Sequence, residues 1–150
     1  MSPALIRSAE CIARVMPANA DWWIIGSAAL ALSGIDVEPR DIDVFAASNV
    51  IEAARMVLGV PAVPSGSDRF RSSPYFQFCP DGGVDIDFMG GLQVKSADGW
   101  IDLRIKSKVV VTCGNASLFV PSLDDQLSIL TLFGRPKDQA RAALIAAYRR

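Results

Sequence analysis

Histidine is absent from this chain of 150 residues. That removes Ser-His-Asp and Cys-His nucleophilic sites and every metal site with an imidazole ligand. Acid–base or metal chemistry must then come from carboxylates, lysine, tyrosine or cysteine. Cysteine is scarce as well. Cys11, Cys79 and Cys113 stand far apart and form no C-x-x-C pair, so neither a zinc knuckle nor a dithiol redox site is supported. They read as buried free thiols in a reducing compartment. An excess of one charge is missing too: 15 Lys plus Arg face 16 Asp plus Glu. A dedicated nucleic-acid binder would show a basic footprint, although a local basic groove is compatible with this balance. No apolar run approaches the length of about 18 residues that a membrane span needs. The start, MSPALIRSAECIARVM, has no apolar core of a signal peptide and carries Glu10 in its middle. A cytoplasmic protein with no membrane partner is expected.

What is present is apolar and evenly mixed. Hydrophobic residues make up 51% and charged residues 21% of the chain, which is globular composition. The length favours one domain over residues 1–150, large enough for a core without disulfides.

Leu5, Ile6, Ala9, Ile12, Ala13 and Met16 recur at helical spacing and predict a helix over 3–16. Trp22-Trp23-Ile24-Ile25 suits a buried strand. Gly26 stops it, and a short helix follows over 27–33, with Ser27 as N-cap and Gly34 as its end. A loop carries Pro39, a second strand holds Ile42, Val44 and Phe45, and residues 48–58 return to helix. Residues 59–74 read as a loop with room for a short extended piece, carrying Arg69 and Arg71. Residues 75–79 and 84–89 form a hairpin around Pro80-Asp81-Gly82-Gly83. Residues 90–106 are a loop with one short, undefined element. Residues 109–113 and 117–120 make a second hairpin around Gly114-Asn115. Ser122 caps a helix over 123–133, and Pro136 opens a last helix reaching Tyr148.

Three pieces carry chemistry. The strand-Gly26-Ser27-helix turn offers free backbone N–H groups and room for an anion. In the strand after Arg40, Asp41 and Asp43 alternate with Ile42 and Val44, so both carboxylates share one face. Adjacent carboxylates repel and invite a divalent cation, and oxygen-only ligation suits Mg²⁺. Residues 84–89 repeat the alternation with Asp85 and Asp87. If the two strands are neighbours, three or four carboxylates and a phosphate-binding turn form a two-metal phosphoryl-transfer site. Trp22 and Trp23 read as core or lid. Arg149 and Arg150 read as a solvated tail, and Lys106 and Lys108 as charges flanking a strand end.

With these pieces the chain resembles the nucleotidyltransferase superfamily, which shares the DNA polymerase beta-type palm. The resemblance rests on Ile24-Ile25-Gly26-Ser27, Asp41-Ile42-Asp43 and Ile86-Asp87-Phe88. Small bacterial members add the pattern seen in Ser122-Leu123-Asp124-Asp125 and Gly134-Arg135-Pro136-Lys137-Asp138, so the likeness spans about residues 20–140. It implies an α/β (α+β) fold: a mixed β-sheet with flanking helices and a C-terminal helical pair.

The resemblance also implies transfer of a nucleoside monophosphate from an NTP to an acceptor hydroxyl, with release of pyrophosphate. Asp41, Asp43 and Asp87 would hold Mg²⁺ or Mn²⁺, with Asp85 the alternative to Asp87. Gly26, Ser27, Arg40 and Lys137 would contact the nucleotide. A small molecule such as an aminoglycoside, a protein hydroxyl and a tRNA end are all compatible acceptors. One departure stands out. Relatives often carry a lysine about four residues before the Gly of Gly-Arg-Pro-Lys-Asp, where this chain has Leu130. Arg69, Arg71 and Lys137 are the cations available to replace it. The same gap supports the alternative of a non-catalytic protein partner, for example in a toxin–antitoxin pair.

Overall fold

The computed structural model describes residues 1–150. Helix α1 (Pro3–Val15) opens with Pro3 behind the Ser2 cap, whose hydroxyl accepts the Leu5 N–H at 3.2 Å. Its apolar stripe buries Leu5, Ala9, Ile12 and Val15, the i, i+3, i+4 set that the sequence spacing dictates. Ser8 shares that face. Its hydroxyl accepts the N–H of Val84 and donates to the carbonyl of the same residue, both at 2.8 Å. The helix thereby pins the turn that leads into an acidic strand.

Four strands form the main sheet: β1 (Trp22–Ile25), β2 (Ile42–Ala46), β4 (Tyr75–Phe78) and β5 (Ile86–Gly90). Their order is β1-β2-β5-β4. The β2–β5 pair is parallel, and the two outer pairs are antiparallel. The parallel pair is possible because α3 (Ser48–Leu58) lies between β2 and β5 in the chain and buries Ile51 and Ala54 in the same core. On that face of the sheet lie Ile24, Ile42, Val44, Phe76, Ile86 and Phe88, all essentially without solvent contact. Phe76 and Phe88 stack across β4 and β5 with centroids 4.4 Å apart. Truncating either ring would remove about 3–5 kcal/mol, the usual cost of emptying an aromatic core position.

The opposite face is divided. Phe45 packs with Ile25, Leu92, Val94 and Phe133, and Met89 lies against them. Asp43, Asp87 and the side chains of Tyr75 and Gln77 occupy the other end of that face. Helix α2 (Gly26–Leu32) leaves directly from β1. Helices α4 (Leu123–Phe133) and α5 (Pro136–Tyr148) pack together, and α4 also meets α2. Hairpin β8 (Val109–Cys113) and β9 (Ala116–Val120) turns at Gly114-Asn115 as expected and lies against β1 and α1. No helix is long and apolar enough to cross a membrane.

Several expectations need correction. A three-stranded sheet, β3 (Phe70–Arg71), β6 (Gln93–Ser96) and β7 (Gly99–Asp102), occupies stretches expected to be loop with at most one short extended piece in each. The Asp98-Gly99 dipeptide, with Gly99 at φ +114°, marks its hairpin. Ser27 is not an N-cap: α2 begins at Gly26, and no side chain caps it. Cys11 and Cys113 are buried free thiols, but Cys79 is exposed because it stands at the end of β4 where the chain turns. Arg149 is not a free tail, since its guanidinium meets Asp124 at 2.7 Å. Trp22 is core, edge-on to Phe119, while Trp23 stacks on Phe45 and donates to the Ser107 carbonyl at 2.8 Å.

Candidate active site

The parallel pairing of β2 and β5 sets Asp43 directly beside Asp87 as register partners. Their carboxyl groups lie within hydrogen-bonding reach of each other. On the other side of β2, Asp43 faces Ile25, the last residue before Gly26. Asp41 stands just before β2, exposed at the rim of the same cavity. Asp85 sits just before β5. Its carbonyl accepts the Ile42 N–H at 3.0 Å, and its exposed carboxylate lies near Cys79. Asp87, not Asp85, lines the cavity that Asp41 and Asp43 share.

Gly26 has φ +74°, a left-handed conformation that L side chains rarely adopt. This kink lets α2 start at the strand end, and Gly26 and Ser27 line a cavity of about 260 Å³ together with Asp41, Asp43 and Asp87. The opposite wall is cationic: Arg135, Lys137 and Arg141, all from the start of α5 or the residue before it. Leu30, Ile129 and Leu130 supply apolar wall. Gln126 also lines it. Its amide N–H groups are spent on Ser33 and Pro121, which leaves its Oε1 as the buried side-chain polar atom without a partner. A second cavity of about 330 Å³ lies across Asp43 and Asp87. Phe70, Tyr75, Met89 and Leu92 give it an apolar lining, and Arg71, Ser72 and Gln77 its polar groups.

The Gly134-Arg135-Pro136-Lys137-Asp138 segment builds the cationic wall. Gly134 ends α4 in the left-handed conformation and donates its N–H to the Leu130 carbonyl at 3.0 Å. Pro136 opens α5, and the fully buried Asp138 accepts from the Arg135 backbone N–H at 3.1 Å and from its Nε at 2.6 Å. The Arg135 guanidinium is thereby fixed over the rings of Phe70 and Phe133. Lys137 projects into the cavity with no ion pair of its own, and Arg141 follows one turn later on the same helical face. That i, i+4 spacing was the available sequence signal for Arg141. Arg135, Tyr75 and Gln77 were also not singled out from sequence.

The other cations lie elsewhere. Arg40 is exposed and lines neither cavity. Arg69 donates to the Phe133 carbonyl at the end of α4. Arg71 lies 4.2 Å over the Trp100 ring, at the second cavity. Leu130 is buried against Leu30, Ile35 and Ile145 between α2 and α5.

The electrostatics follow from this crowding. Burial, then the charges of Asp41 and Asp87, push Asp43 up to about 7. Asp41 is also raised, first by burial and then by Asp87 and Asp85, with Lys137 and Arg141 partly offsetting them. No three of these carboxylates stand close enough together to hold a metal ion among them as the side chains are placed. The donor set nevertheless suits a hard divalent cation in kind, since it is all carboxylate oxygen.

No protein-family model matches the chain, and no curated protein matches it. Solved structures do. A Thermotoga maritima protein provisionally assigned as a nucleotidyltransferase superposes with a TM-score of 0.75 at 22% identity, over 97% of this chain and 93% of that one. The lincosamide antibiotic adenylyltransferase LnuA, in its lincomycin-bound form, superposes with a TM-score of 0.57 at 12% identity, over 97% of this chain and 96% of that one. The mixed sheet, the flanking helices and the C-terminal helical pair are thus those of the nucleotidyltransferase fold.

Proposed function

We propose that the protein transfers a nucleoside monophosphate from an NTP to the hydroxyl of a small-molecule acceptor, in a reaction that needs Mg²⁺ or Mn²⁺. The observation that supports this most is the position of Asp43 and Asp87. They stand where a cavity with a cationic wall meets a second cavity with an apolar lining. The first suits a triphosphate, the second an acceptor of drug-like size. LnuA, which shares the fold, is an adenylyltransferase with a bound antibiotic, and a small acceptor accords with the near-neutral charge of this chain.

In this reading Asp41, Asp43 and Asp87 would hold the divalent ions, which would neutralise phosphate charge and ease deprotonation of the acceptor hydroxyl. Lys137 and Arg141 draw the triphosphate to the wall opposite the acids, and Gly26 and Ser27 bring backbone close to it without a side chain in the way. The acceptor oxygen bonds to the α-phosphorus, the bond from that phosphorus to the bridging oxygen breaks, and pyrophosphate departs while the hydroxyl proton is released. Catalysis is then mainly alignment and charge stabilisation.

The test is label transfer. The protein, Mg²⁺ and α-labelled NTPs are incubated with fractionated small molecules from a cell extract. Transfer onto an acceptor is expected, and Asp41→Ala and Asp43→Ala should each abolish it. Label that stays on NTP in every fraction, with no Mg²⁺-dependent nucleotide binding, would refute the reading.

A further inference from the structure

Two donors from an edge strand converge on one oxygen of one acid. The Tyr75 hydroxyl and the Gln77 amide nitrogen both donate to Asp87 Oδ1, each at 2.6 Å. The strand register makes this possible. Gln77 is the direct antiparallel partner of Asp87, and Tyr75 lies two residues along β4 on the same face. Both of these bonds from outside the acid cluster fall on Oδ1. Asp87 is therefore held at one oxygen by β4, beside its register partner Asp43.

From this geometry we infer that Tyr75 and Gln77 are positioning residues for the acid cluster: they lock the Asp87 carboxylate so that a single oxygen is offered to a metal ion beside Asp43. The inference rests on the transferase reading and adds to it a division of labour within the cluster. Asp41 and Asp43 lack any such second layer, for no side chain other than an acid reaches either of them by hydrogen bond. Carboxylates held by outer hydrogen bonds keep a fixed angle toward their metal, and loss of such partners typically lowers affinity by about 10–100-fold. Tyr75 and Gln77 also line the second cavity, so an acceptor there lies against the groups that aim Asp87.

The experiment counts metal ions. Wild type and the Tyr75→Phe/Gln77→Leu double variant are titrated with Mn²⁺ in the presence of α,β-methylene-ATP, followed by electron paramagnetic resonance of free Mn²⁺. Two ions per chain are expected for wild type. In the double variant the weaker ion should lose about tenfold or more in affinity, while the tighter one stays within about twofold. Phe78→Leu, in the same strand but away from both cavities, controls for loosening of β4 and should leave both affinities unchanged. A double variant that keeps wild-type affinity for both ions, or a Phe78→Leu control that loses the weaker ion equally, overturns the positioning role and leaves the transferase reading standing. A wild type that binds no Mn²⁺ with the nucleotide overturns both.

Discussion

Asp43 fills the space that a side chain on Gly26 would need: an ideal Cβ there falls 3.1 Å from Asp43 Oδ2. Gly26 also holds φ +74°. Any substitution therefore meets two penalties, a left-handed backbone and a crowded carboxylate. Gly26→Ala is expected to lose about 1–2 kcal/mol from the backbone alone, measured by urea unfolding. It should also displace Asp43 and suppress the thermal shift given by Mg²⁺ with a nonhydrolysable ATP analogue. An alanine variant with wild-type stability and wild-type shift would mean that the turn does not depend on glycine.

The raised Asp43 makes the metal-free protein sensitive to pH. An ordinary aspartate titrates near pH 4, whereas folded Asp43 does so at about 7. Between those values the folded chain holds a proton that the unfolded chain has lost, so stability falls as pH rises from about 4 to about 7 and the full penalty remains above. Asp41 acts in the same direction. Asp125, held low by the Ser107 hydroxyl and N–H, acts in the opposite sense and only at the acid end. Asp43→Asn removes the Asp43 contribution. Its melting temperature in EDTA should exceed that of wild type at pH 8, with the gap closing toward pH 5. With Mg²⁺ and nucleotide present the order should reverse, because only the wild type keeps the ligand. A gap independent of pH would contradict this account.

The alternation of Asp with Ile, Val and Phe made the acidic face legible in the sequence. Period-2 patterning fixes which side chains share a face, and Ile42, Val44, Ile86 and Phe88 could only point into a core. What it could not give was adjacency: nothing in either segment says that β2 and β5 are parallel neighbours with Asp43 opposite Asp87. The same limit hid Tyr75 and Gln77, whose roles exist only once β4 pairs with β5. Asp85 was left open against Asp87 because parity is identical for both. The difference lies in where β5 begins, and boundaries are the weakest product of pattern reading. The β3-β6-β7 sheet was legible only as short undefined elements, because its strands have two to four residues each and little apolar alternation.

The sequence resemblance leads one to expect a lysine where Leu130 stands, which makes Leu130→Lys a natural substitution to test. The structure argues against it. Leu130 is 4% exposed, packed against Leu30, Ile35 and Ile145. Leu130→Lys gives up the contacts of a buried leucine, worth about 2–5 kcal/mol, and sets an ammonium group among Leu30, Ile35 and Ile145. A lower urea midpoint is expected, with no gain in affinity for the Mg²⁺–nucleotide complex. A variant of undiminished stability that binds nucleotide more tightly would show that an ammonium group there reaches into the cavity whose wall Leu130 helps to form.

The three cations of the first cavity should separate by function. Arg135 is committed to buried Asp138 and to the rings of Phe70 and Phe133. Arg135→Ala leaves that carboxylate short of its main partner, so its principal effect should be on folding, about 3–5 kcal/mol. Lys137 has no ion pair in the protein, yet its charge reaches Asp41 across the cavity. Lys137→Ala should leave the unfolding free energy within about 0.5 kcal/mol of wild type, as for an exposed side chain free of special contacts. It should weaken nucleotide binding about tenfold, equivalent to about 1.4 kcal/mol. Arg141, 3.9 Å from Asp138, belongs between the two, with a smaller loss in each measurement. Titration calorimetry with the ATP analogue at two salt concentrations checks this. The Lys137 effect should shrink at high salt, because a cation facing an open cavity is screened, while the folding defect of Arg135→Ala should persist. Equal effects of Lys137→Ala and Arg135→Ala on stability, with nucleotide affinity untouched in the lysine variant, would remove Lys137 from the binding site.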